Sequence, residues 1–168
     1  MVAWMDQRGA PDRLVKLPGG ERMKPSLLQM LRWIQVHAIP PLPSGADSLA
    51  HMRWLKLARP DAYESTATFM EPMDYLAMRV SGRRVANRCS AFLMLLTDNR
   101  RSDPVYHPSL LQWSGIDPDK LPELVPLDQP IGKVLPDVAD RLGLSRNAVV
   151  FPAINDTQAG GIGAHAFE

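Results

Sequence analysis

Hydrophobic residues recur along the chain at intervals of three and four residues, and proline or glycine separates the segments in which they do so. This spacing is typical of helices that bury one face, because such positions lie on the same side of a helix. Aspartate or serine before a segment, proline in its first turn and glycine after its last residue strengthen the prediction. The pattern predicts helices over residues 26–37, 47–59, 72–81, 108–114 and 136–142, with a shorter one starting at 9–12.

Uninterrupted apolar runs predict strands elsewhere. Residues 1–4 and 148–154 are predicted to be buried strands, and residues 131–134 are predicted to form a shorter one. Residues 85–91 favour an extended conformation, whereas the apolar segment 92–97 fits either state. The order is a strand, several helices, and then a strand followed by a helix. This order indicates the α/β class with an inserted helical region.

Asp156 is the strongest candidate for a catalytic residue, because it lies at the C-terminal tip of the predicted strand 148–154, with Asn155 between them. In open α/β sheets, ligands bind at the carboxyl ends of the strands. A carboxylate at that edge could accept a proton from a substrate hydroxyl that attacks a phosphorus atom. Aspartate is also a favoured helix N-cap, so Asp156 could equally serve only to start the helix that follows.

Asp6 and Arg8 form a second candidate site, since they follow the predicted strand 1–4 and would also lie at a strand tip. A carboxylate and a guanidinium in that position could bind hydroxyl groups. They could instead pair with each other and serve the structure alone.

The glycines after Asp156 permit two other interpretations. Gly161 and Gly163 are part of a dinucleotide-binding fingerprint, but no second strand with an acidic ribose ligand follows them in this chain. Asn155, Asp156 and Gln158 bear a slight resemblance to malic enzymes, which would require a nucleotide domain after residue 168.

Charge and composition narrow the possible partners. The 19 basic and 18 acidic residues leave a net charge of +1, which gives no electrostatic case for nucleic acid or an anionic membrane. No apolar run approaches the roughly 20 residues that span a bilayer. The single Cys89 excludes an internal disulfide and favours a reducing, cytoplasmic setting, and the four histidines share no ligand spacing, so we expect no metal site.

Seven segments, taken in order, resemble the motifs of one enzyme family. Residues 4–9 are similar to its Trp-x-Asp-x-Arg segment, and residues 69–76 to its Pro-x-Asp-Tyr-Leu segment. The other similarities lie at residues 78–82, 96–98, 115–122, 131–144 and 153–163. Together they resemble the FGGY carbohydrate kinases, the family of xylulokinase and glycerol kinase, and most closely its xylulokinase-like branch.

The resemblance implies an ATP-dependent kinase that phosphorylates a hydroxyl of a small sugar or polyol, with ATP and Mg²⁺ as cofactors of the full-length family members. It implies the ribonuclease-H-like α/β fold of the sugar kinase, actin and Hsp70 superfamily, present here incompletely. Asp156 lies at the position of the family's general base. Asp6 and Arg8 lie at positions that would support the sugar pocket.

The chain departs from the family pattern at both ends and at two internal positions. The family's Asp-x-Gly-Thr phosphate loop and its Gly-Thr-Ser loop are not found in the sequence. Residues 1–168 are therefore expected to be the back part of the kinase N-terminal domain, without the phosphate-loop segment or the C-terminal domain. Asn87 stands where many members have aspartate, and Asn155 where glycine or proline is more usual.

A general base without an ATP site has no phosphoryl group to transfer, so we expect the isolated chain to be inactive. The alternative is a non-catalytic remnant that binds a sugar or another protein. With the leading strands missing, the sheet would keep exposed edges, which predicts self-association or a complementary polypeptide as partner.

Overall fold

The computed structural model describes residue 3 and residues 5–166 of the chain. The strand predicted over 1–4 rests on Met1, Val2 and Trp4, which lie outside the described residues. The chain divides into two compact units. The first comprises Met1–Phe69 with Phe92–Leu121, and the second comprises Met70–Ala91 with Pro122–Glu168.

The helices of the described residues confirm those predicted from the spacing. They are, in chain order, α1 (Pro11–Leu14), α2 (Leu27–His37), α3 (Ser48–Ala58), α4 (Pro60–Ser65), α5 (Pro72–Ser81), α6 (Pro108–Ser114), α7 (Pro136–Leu142) and α8 (Asp156–Gly163). Short 3₁₀ helices lie at Gly20–Met23, Ser90–Met94 and Pro118–Lys120. The additional helix is α4: Pro60, which the sequence predicts only to end α3, occupies the first turn of a new helix.

In the first unit, α3 contributes a charged side chain to the core. Leu49 and Met52 are buried on this helix, and so is Arg53. Arg53 Nε donates to the Ser114 carbonyl at 2.9 Å, and its Nη2 donates to the Trp113 carbonyl at 2.8 Å. These carbonyls end α6, where no intrahelical donor is left for them and the helix dipole is negative. The buried cation is therefore matched to a helix terminus, although burial lowers the pKa of Arg53 to about 10.

The helix α2 begins with a capping box formed by Ser26 and Gln29. Its buried residues are Trp33, Val36 and His37, and Trp33 Nε1 donates to the Leu95 carbonyl at 2.6 Å. The apolar residues whose spacing predicts the helix lie on its exposed side, and they are Leu27, Leu28, Leu31 and Ile34. The periodicity therefore predicts the helix correctly, but most of the apolar residues that form the stripe are exposed and are not buried in the first unit.

The second unit contains the strands of the described residues, each two residues long: β1 (Val85–Ala86), β2 (Glu123–Leu124), β3 (Gly132–Lys133) and β4 (Val149–Val150). β1 pairs with β2 in parallel, with Val85 opposite Glu123. β3 pairs with β4 antiparallel, with Gly132 opposite Val150. With α5, α7 and α8 in the same unit, the architecture is a partial α/β domain, as predicted.

The prediction of a buried strand over 148–154 is wrong in length and in burial. Only Val149–Val150 form β4, and Val149 and Phe151 are 53% and 52% exposed. Among the described residues, β4 pairs with β3 on one side and with no strand on the other. An apolar run of this composition is typical of a strand covered on both faces. The second unit covers it only in part.

Candidate functional site

Asp156 lies at the first position of α8, six residues after β4 ends at Val150. The N-cap is the preceding residue, because Asn155 Oδ1 accepts from the Gln158 amide at 3.0 Å. Asp156 is exposed, and its Oδ1 accepts from the Thr157 amide at 2.8 Å. The possibility that Asp156 is the N-cap is therefore wrong. Its carboxylate remains accessible at the helix terminus, where the dipole favours a negative charge.

The helix that follows Asp156 is open to its surroundings in this unit. A Cβ atom added at Gly160 or Gly163 would meet nothing within 4 Å. Gly160 and Gly163 therefore do not serve close packing inside the second unit. They leave the backbone beside Asp156 free for a ligand or another segment to approach.

The turn that leads into Asp156 is held by residues 87–90. Asn87 Nδ2 donates to the Ala153 carbonyl at 2.5 Å, and Asn155 Nδ2 donates to the Cys89 carbonyl at 3.1 Å. Asn87 and Asn155 are the two internal departures from the family pattern noted in the sequence. They connect the same two backbone segments of the second unit.

Asp74 is a buried carboxyl group next to this turn, and it is not among the site residues predicted from the sequence. It is 1% exposed, its Oδ2 has no hydrogen-bond partner among the described residues, and its side chain is hydrogen bonded to Ser90. Burial raises the pKa of Asp74 to about 7. Its position in the Pro-x-Asp-Tyr-Leu motif was the only sequence signal that could have marked it.

Asp6 and Arg8, in the first unit, form a closed ion pair. Arg8 Nε donates to both carboxylate oxygens of Asp6, at 3.0 and 2.8 Å, and Nη2 donates to Oδ2 at 2.5 Å. These bonds lower the pKa of Asp6 to about 2. The Arg8 guanidinium also lies 3.7 Å from the centre of the Trp54 ring, and His51 Nε2 lies 2.7 Å from the Asp6 carbonyl oxygen. The pair is thus held against α3.

Gly9 fixes the distance between this ion pair and α3. A Cβ atom at Gly9 would fall far inside van der Waals contact with the Ala50 backbone. Only glycine allows the chain to pass this close to the helix. The sequence predicts both Asp6–Arg8 and Asp156 as site residues. The first pair belongs to the first unit and Asp156 to the second.

The described residues offer no group of three or more histidine, cysteine, aspartate or glutamate side chains that could hold a metal ion. The residues around Asp156 and those around Asp6 therefore do not fit a resident Mg²⁺ site by themselves.

None of the described helices has the length and the apolar character of a membrane-spanning segment.

Comparison with known proteins identifies the family. The family profile described as the N-terminal domain of the FGGY family of carbohydrate kinases matches residues 42–163, which is most of the chain and includes Asp156. The chain belongs to the FGGY family of carbohydrate kinases. FGGY kinases are transferases that use ATP and typically Mg²⁺.

Curated FGGY relatives are much longer than this chain. The xylulose kinase of Bacillus subtilis (strain 168) is 31% identical over 117 residues, which are 70% of this chain and 23% of that protein. The autoinducer-2 kinase of Enterobacter sp. (strain 638) is 28% identical over 117 residues and is covered to 22%. The chain therefore spans about a quarter of the length of the curated relatives it matches.

Solved FGGY structures share the fold. The xylulose kinase from Rhodospirillum rubrum superimposes with a TM-score of 0.73 at 21% identity, over 83% of this chain and 28% of that one. Plasmodium falciparum glycerol kinase with ADP superimposes with a TM-score of 0.76 at 16% identity, over 99% of this chain and 31% of that one. At these identities the likeness shows the fold alone, and it is the fold of the actin, Hsp70 and sugar-kinase superfamily.

Proposed function

We propose that this chain supplies the general-base segment of an ATP-dependent kinase that phosphorylates a hydroxyl group of a small sugar or polyol. Asp156 is the general base, and it takes the proton from the hydroxyl as that oxygen attacks the γ-phosphorus of ATP. The observation that supports this role is the exposed Asp156 carboxylate at the start of α8, inside the segment that matches the FGGY family.

The geometry around Asp156 favours proton transfer over a structural role. Asn155 already caps α8, so the cap does not occupy the Asp156 carboxylate. One Asp156 oxygen accepts from the adjacent Thr157 amide, which orients the group. The other oxygen can face a substrate hydroxyl. A base in this position contributes about 10²–10⁴-fold to the rate of such a step.

Asp6 and Arg8 are proposed to support the sugar pocket. Their ion pair is rigid because it is bidentate and because the guanidinium stacks on Trp54. A carboxylate whose pKa is lowered to about 2 remains an acceptor for sugar hydroxyls at every physiological pH. We expect this pair to affect sugar binding more than the proton transfer.

The phosphoryl donor is proposed to bind to other segments, carried by a complementary polypeptide or by a longer chain. ATP and Mg²⁺ chemistry depends on phosphate positioning and charge neutralisation, and the described residues contain no cluster of three or more histidine, cysteine, aspartate or glutamate side chains that could hold the metal. We therefore expect no ATP-dependent phosphorylation of xylulose or glycerol by the purified 168-residue chain. A cytoplasmic location is proposed because a kinase of this kind needs ATP.

The proposal is tested by transplanting residues 42–163 into the Bacillus subtilis xylulose kinase, in place of the matching segment. In this chimera, Asp156→Asn is expected to lower kcat by about 10²–10⁴-fold because the amide cannot accept the proton. The KM for the sugar should change little. Kinase activity is measured with a coupled ADP assay.

The matched control is Asp140→Asn, because Asp140 is an exposed aspartate whose carboxylate pairs with Arg146 on the surface. It should leave kcat within about twofold, as expected for a surface substitution. Equal activity of the Asp156→Asn chimera and the unsubstituted chimera would contradict the assignment of Asp156 as general base. Phosphorylation by the isolated chain would contradict the need for a second segment.

A further inference from the structure

Two asparagine side chains connect the turn at residues 87–90 with the turn that presents Asp156. Each side chain donates a hydrogen bond to a backbone carbonyl of the other turn. Asn87 Nδ2 donates to the Ala153 carbonyl, and Asn155 Nδ2 donates to the Cys89 carbonyl. All four residues belong to the second unit. The two bonds run in opposite directions between the same two segments.

The oxygen of each asparagine is used within its own segment. Asn87 Oδ1 accepts from the amides of Cys89 and Ser90, at 2.8 and 3.2 Å. Asn155 Oδ1 accepts from the Gln158 amide and caps α8. The oxygens thus shape the two turns, and the nitrogens join them.

Because each side chain accepts within its own turn and donates to the other turn, both positions require an amide. A carboxylate could replace either oxygen, since it accepts hydrogen bonds, but it has no N–H to donate across the gap. At position 87 the cost would be high, because Asn87 is buried and an unpaired Ala153 carbonyl would face a negative charge. Relative to an aspartate at the same position, each asparagine therefore adds a hydrogen-bond donor.

We propose that Asn87 and Asn155 are a coupled pair of positioning residues that together fix the turn presenting Asp156. The consequence for phosphoryl transfer rests on the proposed role of Asp156 as the base. The pair fixes the direction of the 153–155 backbone, and Asp156 is the next residue. Loss of either bond frees the segment on which the other bond depends, so the two bonds are lost together.

The first test uses the unsubstituted chain and NMR of its side-chain amide groups. The hydrogens of the Asn87 and Asn155 amides should exchange with solvent about three- to tenfold more slowly than those of Asn147, as expected for one net hydrogen bond. Asn147 is a suitable reference because it is exposed and its oxygen accepts from Lys133. Equal exchange at the three asparagines would overturn the proposal without any variant being made.

The second test uses Asn87→Asp and Asn155→Asp, which keep the acceptor and remove only the donor. Asn87→Asp should speed exchange of the Asn155 side-chain amide, and Asn155→Asp should speed exchange of the Asn87 amide, each about three- to tenfold. Both should shift the side-chain carboxyl resonance of Asp156. The control Asn147→Asp keeps its acceptor for Lys133 and should leave these signals unchanged.

The coupling would be overturned if Asn87→Asp left the exchange of the Asn155 side-chain amide unchanged, Asn155→Asp left that of Asn87 unchanged, and neither shifted the Asp156 resonance. The two hydrogen bonds would then be independent. These readouts involve no phosphoryl transfer. Coupled signals together with an active Asp156→Asn chimera would refute the proposed base while the pair stands. An inactive Asp156→Asn chimera with uncoupled signals would refute the pair while the base stands.

Discussion

Asp74 places a carboxyl group inside the second unit, where burial raises its pKa to about 7. Its side chain is hydrogen bonded to Ser90, which favours the charged form but does not outweigh the burial. The Ser90 hydroxyl oxygen also accepts from the backbone N–H of Asn87 at 3.0 Å. The protonation state of Asp74 therefore bears on the turn that supports Asp156.

The sign of the pH effect follows from the raised pKa. Folding favours the neutral Asp74, so this contribution to stability is present below the unfolded pKa near 4 and is lost as the pH rises through about 7. Asp74→Asn mimics the neutral acid. We expect it to raise the free energy of unfolding by about 2–4 kcal/mol at pH 8 and by much less at pH 4.

Urea denaturation at both pH values measures this difference, with the exposed Asp137→Asn as the control. A parallel pH dependence for the Asp74→Asn variant and the unsubstituted chain would show that Asp74 is ionised in the fold at neutral pH.

At the scale of single elements, α2 shows that apolar spacing identifies a helix without identifying its buried face. Trp33 and Val36 are buried in the first unit, whereas Leu28 is 78% exposed. The helix has apolar residues on more than one side. The buried side is the one with Trp33, whose indole nitrogen donates to the Leu95 carbonyl.

This assignment predicts unequal effects of two truncations in α2. Trp33→Ala removes a buried ring and a hydrogen bond, so it should lower the free energy of unfolding by about 3–5 kcal/mol. Leu28→Ala removes an exposed side chain and should change it by less than about 0.5 kcal/mol. Chemical denaturation of the isolated chain checks both, and comparable losses for the two variants would mean that α2 packs on its other side.

Short elements were the hardest to predict from the sequence. β2 was missed because two residues, Glu123 and Leu124, have no periodicity to detect. α4 was missed because a proline after a helix indicates its end as readily as the start of another. In contrast, Gly82, Gly115 and Gly143 were predicted to follow helix ends, and all three have positive φ angles there.

At the scale of the whole molecule, exposed apolar residues of the second unit indicate surface that the chain itself does not cover. They include Leu142, Val149, Phe151 and Ile162. β4 is paired on one side only among the described residues. An unpaired strand edge with apolar side chains is a template for pairing with another chain.

We therefore expect the isolated chain to self-associate as its concentration rises. Val149→Lys places a charge on the β4 edge and should shift the chain towards monomer, because charged residues block edge-to-edge pairing. Leu28→Lys removes an even more exposed apolar residue, which lies on α2 and not on a strand edge, and should have the smaller effect. Light scattering over a concentration series measures both, and a monomer at all concentrations would contradict the expectation.

The sequence by itself determined the family, the helix positions and the location of Asp156, because these depend on local spacing and on motifs that are continuous in the chain. Only the tertiary structure decided which face of α2 is buried, that Asn155 caps α8, and that Asn87 reaches Ala153 from 66 residues away. It also decided that Asp74 is buried beside Ser90. Burial and long-range hydrogen bonds depend on which segments meet, and no local pattern specifies that.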